Sequence, residues 1–264
     1  MKTFPVKIFA TLFFAIFANV LGVGIVVPLL PVYARDLGAT GIYIALIFSG
    51  FSLTRSVFLP WFGRLSDRKG RKPFLLAGLF SYFLIALAFV LAHQVYGLIG
   101  IRMIQGVASA MIMPVAQAYV GDITPEGKEG ITMGMFNMSV FTGLSFGPLF
   151  GGVIRDHFGL DAAFGSMGAL AFAAFSLTFF LLPATGSERL GSLGRAPVRW
   201  GLLAGNRMIV GLFFFRFVYT TCIGVVWGFL PVYADAGFRL SSSAIGLLVM
   251  LGVCVSGLLH LPMG

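Results

Sequence analysis

The feature of this sequence that most constrains its fold is a series of long apolar runs separated by short polar segments. A bilayer core about 30 Å thick is crossed by a helix of about 20 mostly apolar residues, and many of the runs reach that length. They lack the strict alternation of apolar and polar residues that is typical of barrel strands. With 58% hydrophobic and 10% charged residues, the composition also excludes a soluble globular domain. The sequence therefore predicts an all-α polytopic membrane protein.

We predict seven complete membrane spans and an eighth that is incomplete. The predicted ranges are Ile8 to Leu30, Ile42 to Phe62, Phe74 to Ala92, Tyr96 to Val120, Ile131 to Ile154, Phe164 to Leu182, Met208 to Leu230 and Ala244 to the end. Two lysines before an apolar run are also typical of a secretory signal peptide, but no convincing small-residue cleavage site follows Ala18. Cys222 and Cys254 lie in predicted spans, where we expect them to pack as small apolar residues.

The positive charges concentrate on one side of the predicted spans. That side holds Lys2, Lys7, Arg64, Arg68, Lys69, Arg71, Lys72, Arg189, Arg195, Arg199 and Arg207, and the other side holds Arg35, Arg155 and Arg239. The positive-inside rule then predicts a multi-pass protein of the cytoplasmic (inner) membrane with its N-terminus in the cytoplasm. Because the net charge of +9 follows this topology, we expect the lipid bilayer and not a nucleic acid as its partner.

An internal repeat relates the seventh predicted span to the first. Leu12-Phe13-Phe14 returns as Leu212-Phe213-Phe214, and Leu30-Pro31-Val32-Tyr33-Ala34 returns as Leu230-Pro231-Val232-Tyr233-Ala234, always at an offset of 200 residues. Phe17 and Gly24 return at the same offset. Six spans separate the copies, so both cross the membrane in the same direction, as in transporters built from two parallel halves.

The repeat also predicts the domain organisation. We expect a six-helix bundle over residues 1–182, a cytoplasmic linker over 183–206, and the start of a second bundle over 207–264. Doubling the repeat predicts a complete protein of roughly 400 residues. The chain is therefore interpreted as truncated partway through the second half.

The segment Gly63 to Leu75 resembles the signature loop of the major facilitator superfamily. Its residues Gly63, Leu65, Asp67, Arg68, Gly70, Arg71 and Lys72 match that motif. The resemblance implies that Asp67 forms a cytoplasmic latch with Arg68 and Arg71, which makes and breaks as the halves rock. An acid at this place can also cap the following helix, and the cations suit the anionic inner leaflet. A positive-inside anchor alone would explain the cations but not the glycines and the acid.

Two further motifs resemble those of the same family. Arg102, Gln105 and Gly106 resemble a fourth-helix motif associated with proton coupling, in which Asp122 could join the latch; alternatively, Arg102 extends to the membrane interface. Gly134, Gly143, Gly147, Pro148, Gly151 and Gly152 resemble the antiporter motif of drug:proton exchangers of the twelve-helix type. Glycines spaced by four residues give a smooth face for close helix packing, and Pro148 permits a bend.

Arginines within the predicted spans are the main candidates for a substrate site. Arg55, Arg102 and Arg216 each cost about 2.5–3.5 kcal/mol near a helix centre, and no acid within the spans can pair with them. Either their partners lie in missing helices, or the arginines face a wet cavity and meet an anionic part of a substrate. The candidates for lining a central cavity are Asn19, Arg55, Gln117, Asn137, Arg216 and Tyr219.

These observations predict a secondary active transporter that exports small solutes, drugs or metabolites, by alternating access in exchange for protons. The first span carries Asn19 where many related antiporters carry an acid, so the proton carrier is left to Asp36, Asp122 or an acid beyond Gly264. The alternatives are an organic-anion or sugar carrier and a truncated membrane protein that does not transport. No enzymatic chemistry, cofactor or metal is expected, because no metal-binding histidine pair, phosphate-binding loop or zinc spacing is present.

Overall fold

The computed structural model describes residues 5–183 and 207–260, with side chains described to Val255. Over these residues the chain forms nine α-helices and no strand. They are α1 (Val6–Val26), α2 (Leu29–Asp36), α3 (Gly41–Lys69), α4 (Arg71–Val90), α5 (Val95–Ile123), α6 (Glu129–Phe158), α7 (Leu160–Leu181), α8 (Arg207–Phe238) and α9 (Ser242–His260). The predicted all-helical fold is thus confirmed.

Seven spans in the described residues are long and apolar enough to cross a membrane. The first combines α1 and α2 into Val6–Asp36, the next five are α3 to α7, and the last is α8. The apolar part of α9, Ser242–Val255, is shorter. The first predicted span covers α1 and the start of α2, and each later one overlaps a single helix. The linker predicted over 183–206 lies outside the described residues except for Pro183.

The first seven helices pack around one apolar core. α1 packs against α6 and α7, while α4 packs against α5 and α7, and α3 lies along α5. The core includes fully buried aromatic rings, among them Phe89 and Phe164, which stack with ring centroids 5.2 Å apart. Large apolar side chains remain exposed on the outside of the bundle, as expected for helices that face lipid.

The second repeat copy attaches to this bundle through α9. α9 packs along α6, whereas α8 makes fewer contacts, with α2, α3 and α9. Only Gly228, Pro231 and Ala234 of α8 are buried. The ends of the two repeat copies meet, because Arg35 at the end of α2 pairs with Asp235 near the end of α8. Equivalent positions thus lie at the same end of the molecule, as expected for two copies that cross the membrane in the same direction.

The two repeat copies differ at one point in their backbone. α1 ends at Val26, and the turn Val27-Pro28 precedes α2. A proline lacks the N–H that would continue the helical hydrogen bonds, which accounts for a break at this place. The equivalent position in the second copy is Gly228, and α8 runs through it without interruption.

The basic segment, predicted as a loop, is almost entirely helical. Gly63 to Lys69 form the last two turns of α3, and α4 begins at Arg71, so only Gly70 lies between the helices. Gly70 has φ +91°, in the left-handed region that glycine adopts without strain. This single residue makes the turn that the sequence analysis assigned to a longer loop. We refer to this end of the bundle as the basic end, and to the end that holds Arg35 as the opposite end.

Candidate functional site

At the basic end, Arg71 is the centre of a polar cluster. Its side chain is buried and forms an ion pair with Asp67 one turn before it. Its Nε donates a hydrogen bond to Oδ2 of Asp122 at 3.1 Å, and its Nη1 donates to the Ser66 hydroxyl at 2.9 Å. Ser66 in turn donates to the Gly63 carbonyl. The cluster therefore joins the end of α3, the start of α4 and the end of α5.

The structure places Asp67 in an ion pair with Arg71, in the first turn of α4. The N-cap residue of that helix is Gly70, which has no side chain to form a cap hydrogen bond. The capping role of Asp67 stays a prediction. Ser66 was not predicted as a member of the cluster. A buried hydroxyl on the helix face that also carries Gly63 could have indicated it, since residues three apart lie on the same face.

The other residues of the basic motif lie at the surface of this cluster. Arg68 is exposed and lines a shallow pocket with Leu65, Trp61 and Arg64. Lys72 donates a hydrogen bond to the Phe179 carbonyl at 2.8 Å, and its Nζ lies 5.8 Å from the centre of the Phe179 ring. Lys72 therefore ties the start of α4 to the end of α7.

In the middle of the bundle, Arg102 is buried, with only 3% of its surface exposed. Its Nε donates to the Ile47 carbonyl at 3.3 Å and its Nη1 to Oε1 of Gln105 at 2.8 Å. Its guanidinium carbon lies 4.4 Å from the centre of the Phe51 ring. The alternative in which Arg102 extends to the membrane interface is therefore wrong. The described partners of Arg102 are neutral acceptors and an aromatic ring, so its pairing with a further helix or with an anionic substrate stays a prediction.

Arg102 belongs to a wider polar cluster between α3, α4 and α5. The buried Tyr82 of α4 lies within electrostatic range of the Arg102 and Arg55 guanidinium groups and close to Ser109. Arg55 itself is half-buried. Two positive charges therefore share one region of the first bundle, with a phenol beside them.

Gly106 allows α3 and α5 to approach closely next to Arg102. A Cβ built at this position would overlap the Thr54 hydroxyl and the Phe51 carbonyl, both on α3. Thr54 uses the same approach to donate a hydrogen bond to the Met103 carbonyl at 2.8 Å. Gly106 thus sets the distance at which Phe51 lies over the Arg102 side chain.

The glycines of α6 bring this helix into backbone contact with α1. A Cβ at Gly143 would lie 3.0 Å from the Leu21 nitrogen, and one at Gly147 would lie 2.6 Å from the Gly24 Cα. A Cβ at Gly151 would lie 2.8 Å from the Ile25 Cα. Three glycines spaced by four residues therefore form one continuous contact, as their spacing predicts.

The same helix also contacts α9 of the second repeat copy. A Cβ at Gly152 would overlap the Ser242 carbonyl, and one at Gly246 would overlap the carbonyl of Pro148. Gly134 differs, because a Cβ there would meet nothing within 4 Å in the described residues. Of the six motif positions, Pro148 and Gly152 thus contact the second copy, whereas Gly143, Gly147 and Gly151 pack within the first copy.

In the described residues, no hydrogen bond or ion pair joins candidate cavity residues that lie on different helices. Asn19 is buried on α1. Its Oδ1 is the one buried side-chain nitrogen or oxygen atom in the described residues that lacks a hydrogen-bond partner. Arg216 and Tyr219 lie on the little-buried α8, where the guanidinium carbon is 5.6 Å from the ring centre. Asn137 is exposed on α6, and Gln117 is half-buried on α5.

Two contacts at the opposite end were not predicted. Asp235 pairs with Arg35, and Asp156 at the end of α6 accepts hydrogen bonds from the start of α9. The repeat could have indicated the first, since Arg35 and Asp235 directly follow the matched Leu-Pro-Val-Tyr-Ala segments and carry opposite charges. No local pattern indicates the second.

Parallel repeats, membrane-spanning helices and close glycine contacts together define a polytopic membrane protein of the kind found among secondary transporters. The sequence pattern of the Major Facilitator Superfamily matches residues 12–264. The chain therefore belongs to the major facilitator superfamily.

Individual relatives match about two thirds of the chain. An uncharacterized MFS-type transporter, MJ1560 of Methanocaldococcus jannaschii, is 36% identical over 166 residues, which cover 63% of this chain and 43% of that protein. The quinolone resistance protein NorA of Staphylococcus aureus strain Mu50 is 32% identical over 173 residues, covering 65% of this chain and 44% of NorA. The aligned segments therefore span less than half the length of these relatives.

Among solved structures, the human organic anion transporter MFSD10 (TETRAN) has a similar fold. The TM-score is 0.70 with 17% sequence identity, over 96% of this chain and 70% of that chain. The similarity extends over the described parts of both repeat copies and supports the arrangement of helices described above.

Proposed function

We propose that this protein acts as a secondary active transporter that exports small solutes, drugs or metabolites, in exchange for protons. The observation that carries the proposal is the position of α6, whose glycines contact α1 on one side and α9 on the other. A helix without side chains at both contacts can slide or tilt between the two repeat copies. Such a boundary is where alternating access requires movement.

Two observations support a drug-like substrate: the resemblance of these α6 glycines to the antiporter motif, and the 32% sequence identity with a quinolone resistance protein over 173 residues. No covalent step is part of this function. In this proposal, residues 1–182 form the first bundle, 183–206 the linker, and 207–264 the beginning of the second bundle. The basic end faces the cytoplasm, and the protein lies in the cytoplasmic membrane.

Two clusters are proposed to couple movement to transport. The Arg71 cluster holds three helix ends together at the basic end, where Asp122 and Asp67 share one cation. The Arg102 cluster keeps the Arg102 charge inside the first bundle, with the Arg55 guanidinium in the same region. Both would respond to changes in helix position, because each draws on residues of at least two helices.

Proton exchange is tested in everted membrane vesicles that contain the complete gene product. Respiration acidifies these vesicles, and a pH-sensitive dye reports the gradient. If the proposal is correct, adding a transported drug releases protons from the vesicles and restores the dye signal. The same drug leaves the signal unchanged in vesicles without the protein. A broad panel of drugs that never restores the signal would exclude proton-coupled export.

A carrier of organic anions is the second candidate, because no ion pair of Arg216 occurs in the described residues. Its charge would then bind an anionic group of the substrate. Uptake of radiolabelled organic anions into proteoliposomes distinguishes the candidates. Anion uptake that is lost in the Arg216→Gln variant, without drug-induced proton release, favours the second candidate.

A further inference from the structure

The opposite end of the molecule contains an ion pair between equivalent positions of the two repeat copies. Arg35 and Asp235 are separated by the repeat offset of 200 residues, and they form an ion pair. Their side chains are about one third and one quarter exposed. At this position the first copy therefore carries a cation and the second an anion, and their attraction holds the copies together.

A second contact joins the copies through the start of α9. Ser242 N donates to Oδ1 of Asp156 at 3.0 Å, while Ser243 N and its hydroxyl donate to Oδ2 at 2.7 and 2.6 Å. The first N–H groups of a helix have no partners within the helix and attract negative charge. The local Ser241 hydroxyl accepts from the Ala244 N–H at 3.2 Å, and a carboxylate at the end of α6 accepts from the two N–H groups before it.

The backbone contacts below Asp156 extend this attachment along both helices. Gly152 lies one turn before Asp156 on α6, and it contacts Ser242 and Ser243. One turn further, Pro148 contacts Gly246, which lies one turn into α9. Because the contacts advance by four residues on each helix, α6 and α9 lie closely side by side over this stretch. The Asp156 hydrogen bonds hold α9 at its tip, and these backbone contacts hold it along its length.

The neighbouring charges favour the same arrangement. Asp36 lies 3.6 Å from Nη2 of Arg35 and 3.6 Å from Nη2 of Arg155. Arg155 precedes Asp156 on α6, so a chain of alternating charges leads from α6 to α2 and across to α8. Separating the copies at this end would break the pair at Asp235 and uncover the α9 amides.

We propose that Arg35, Asp235, Asp156, Ser242 and Ser243 form an inter-repeat latch that stabilises the state closed at the opposite end and must release for that end to open. The latch rests on the proposed alternating access, in which the basic end and the opposite end open in turn. Each of its two contacts takes one partner from each repeat copy. Release therefore requires relative movement of the copies and not a rearrangement within either copy.

The test measures the separation of the copies by double electron–electron resonance on the complete gene product in nanodiscs. Spin labels are placed at His93, exposed between α4 and α5, and at Phe238, exposed at the end of α8. Cys222 and Cys254 are replaced by serine so that only these positions react. The variants are Asp235→Arg, Asp156→Ala and the exchange Arg35→Asp/Asp235→Arg.

If the latch holds this end closed, Asp235→Arg and Asp156→Ala each raise the open-to-closed ratio by about fivefold, the size expected for losing a partly exposed charge contact. The longer distance then becomes more populated. The exchange variant restores the wild-type distribution, because it re-forms the pair with reversed charges. Asp161→Ala is the matched control, since Asp161 is an exposed carboxylate of α7 that forms no ion pair in the described residues.

The proposal is overturned if both single variants keep the wild-type distances, or if the exchange variant behaves like Asp235→Arg. Transport measured on the same samples separates this outcome from failure of the proposed function. Unchanged distances with active wild-type transport would reject only the latch. Shifted distances with a wild-type protein that moves no substrate would retain the latch as a contact between copies and reject the transport function.

Discussion

Gly147 and Gly24 bring α6 and α1 so close that a Cβ on Gly147 would lie 2.6 Å from the Gly24 Cα. The contact occurs between backbones and leaves no space for a methyl group. Gly24 recurs in the second copy as Gly224, where a Cβ would meet nothing within 4 Å in the described residues. The same residue type thus serves a close contact in one copy, while its equivalent has none in the described structure.

The first prediction concerns this contact. Gly147→Ala should lower the free energy of unfolding by about 1–3 kcal/mol, because the added methyl group forces the helices apart. The midpoint of thermal unfolding in detergent, followed by tryptophan fluorescence, measures the effect. Gly134→Ala is the matched control on the same helix and should leave the midpoint unchanged or raise it, because alanine favours helix. Equal loss in both variants would argue against a specific contact.

A second prediction concerns the Arg71 cluster. Arg71→Ala removes the cation shared by Asp67 and Asp122, so we expect a loss of about 1–3 kcal/mol in stability, between the values for exposed and buried ion pairs. Arg68→Ala, which changes an exposed arginine of the same segment, should have little effect on stability. Thermal unfolding of both purified variants makes the comparison. A larger loss in Arg68→Ala would show that charge near the basic end matters more than the cluster.

A third prediction concerns the geometry around Arg102. Arg102→Lys keeps the charge but lacks the planar fork that reaches Ile47 and Gln105 while stacking on Phe51. We expect a loss of about 1.5–3 kcal/mol, the value of a hydrogen bond to a charged group. Arg55→Lys serves as the control, because Arg55 is only half-buried. Thermal unfolding again gives the result, and equal stability of Arg102→Lys and wild type would contradict the described hydrogen bonds.

The fourth prediction concerns orientation in the membrane. The concentration of cations near α3 and α4 predicts that the basic end faces the cytoplasm. With Cys222 and Cys254 replaced by serine, a cysteine at Arg68 should react with a membrane-impermeant maleimide only in everted vesicles. A cysteine at His93 should react in intact spheroplasts. The reverse labelling pattern would mean that the orientation is inverted.

The apolar runs were sufficient to predict the seven membrane spans of the described residues, because a membrane span is determined mainly by its own length and hydropathy. The break at Val27-Pro28 was missed, since Ile8 to Leu30 is apolar throughout. The helical nature of Gly63 to Lys69 was missed for the opposite reason, because a charged segment was interpreted as a loop. In both cases polarity was a poor guide to backbone conformation.

Prediction of the site was uneven for a physical reason. Close contacts between small residues follow from spacing on one helix, and the glycines of α6 were therefore identified. The partners of Arg102 include a backbone carbonyl on another helix, and those of Asp156 are backbone amides of the second copy. Backbone atoms are common to all residues, so sequence contains no signal for such pairs. Only the three-dimensional arrangement reveals them.

The interruption at Val27-Pro28 has a mechanical consequence. A helix broken by a turn can bend there at low cost, and the continuous α8 has a proline at Pro231 where it too can bend. In each copy the bend point therefore lies one or two turns before the paired residue, Arg35 or Asp235. The ion pair thus joins two short segments, each of which can swing without moving the rest of its own copy.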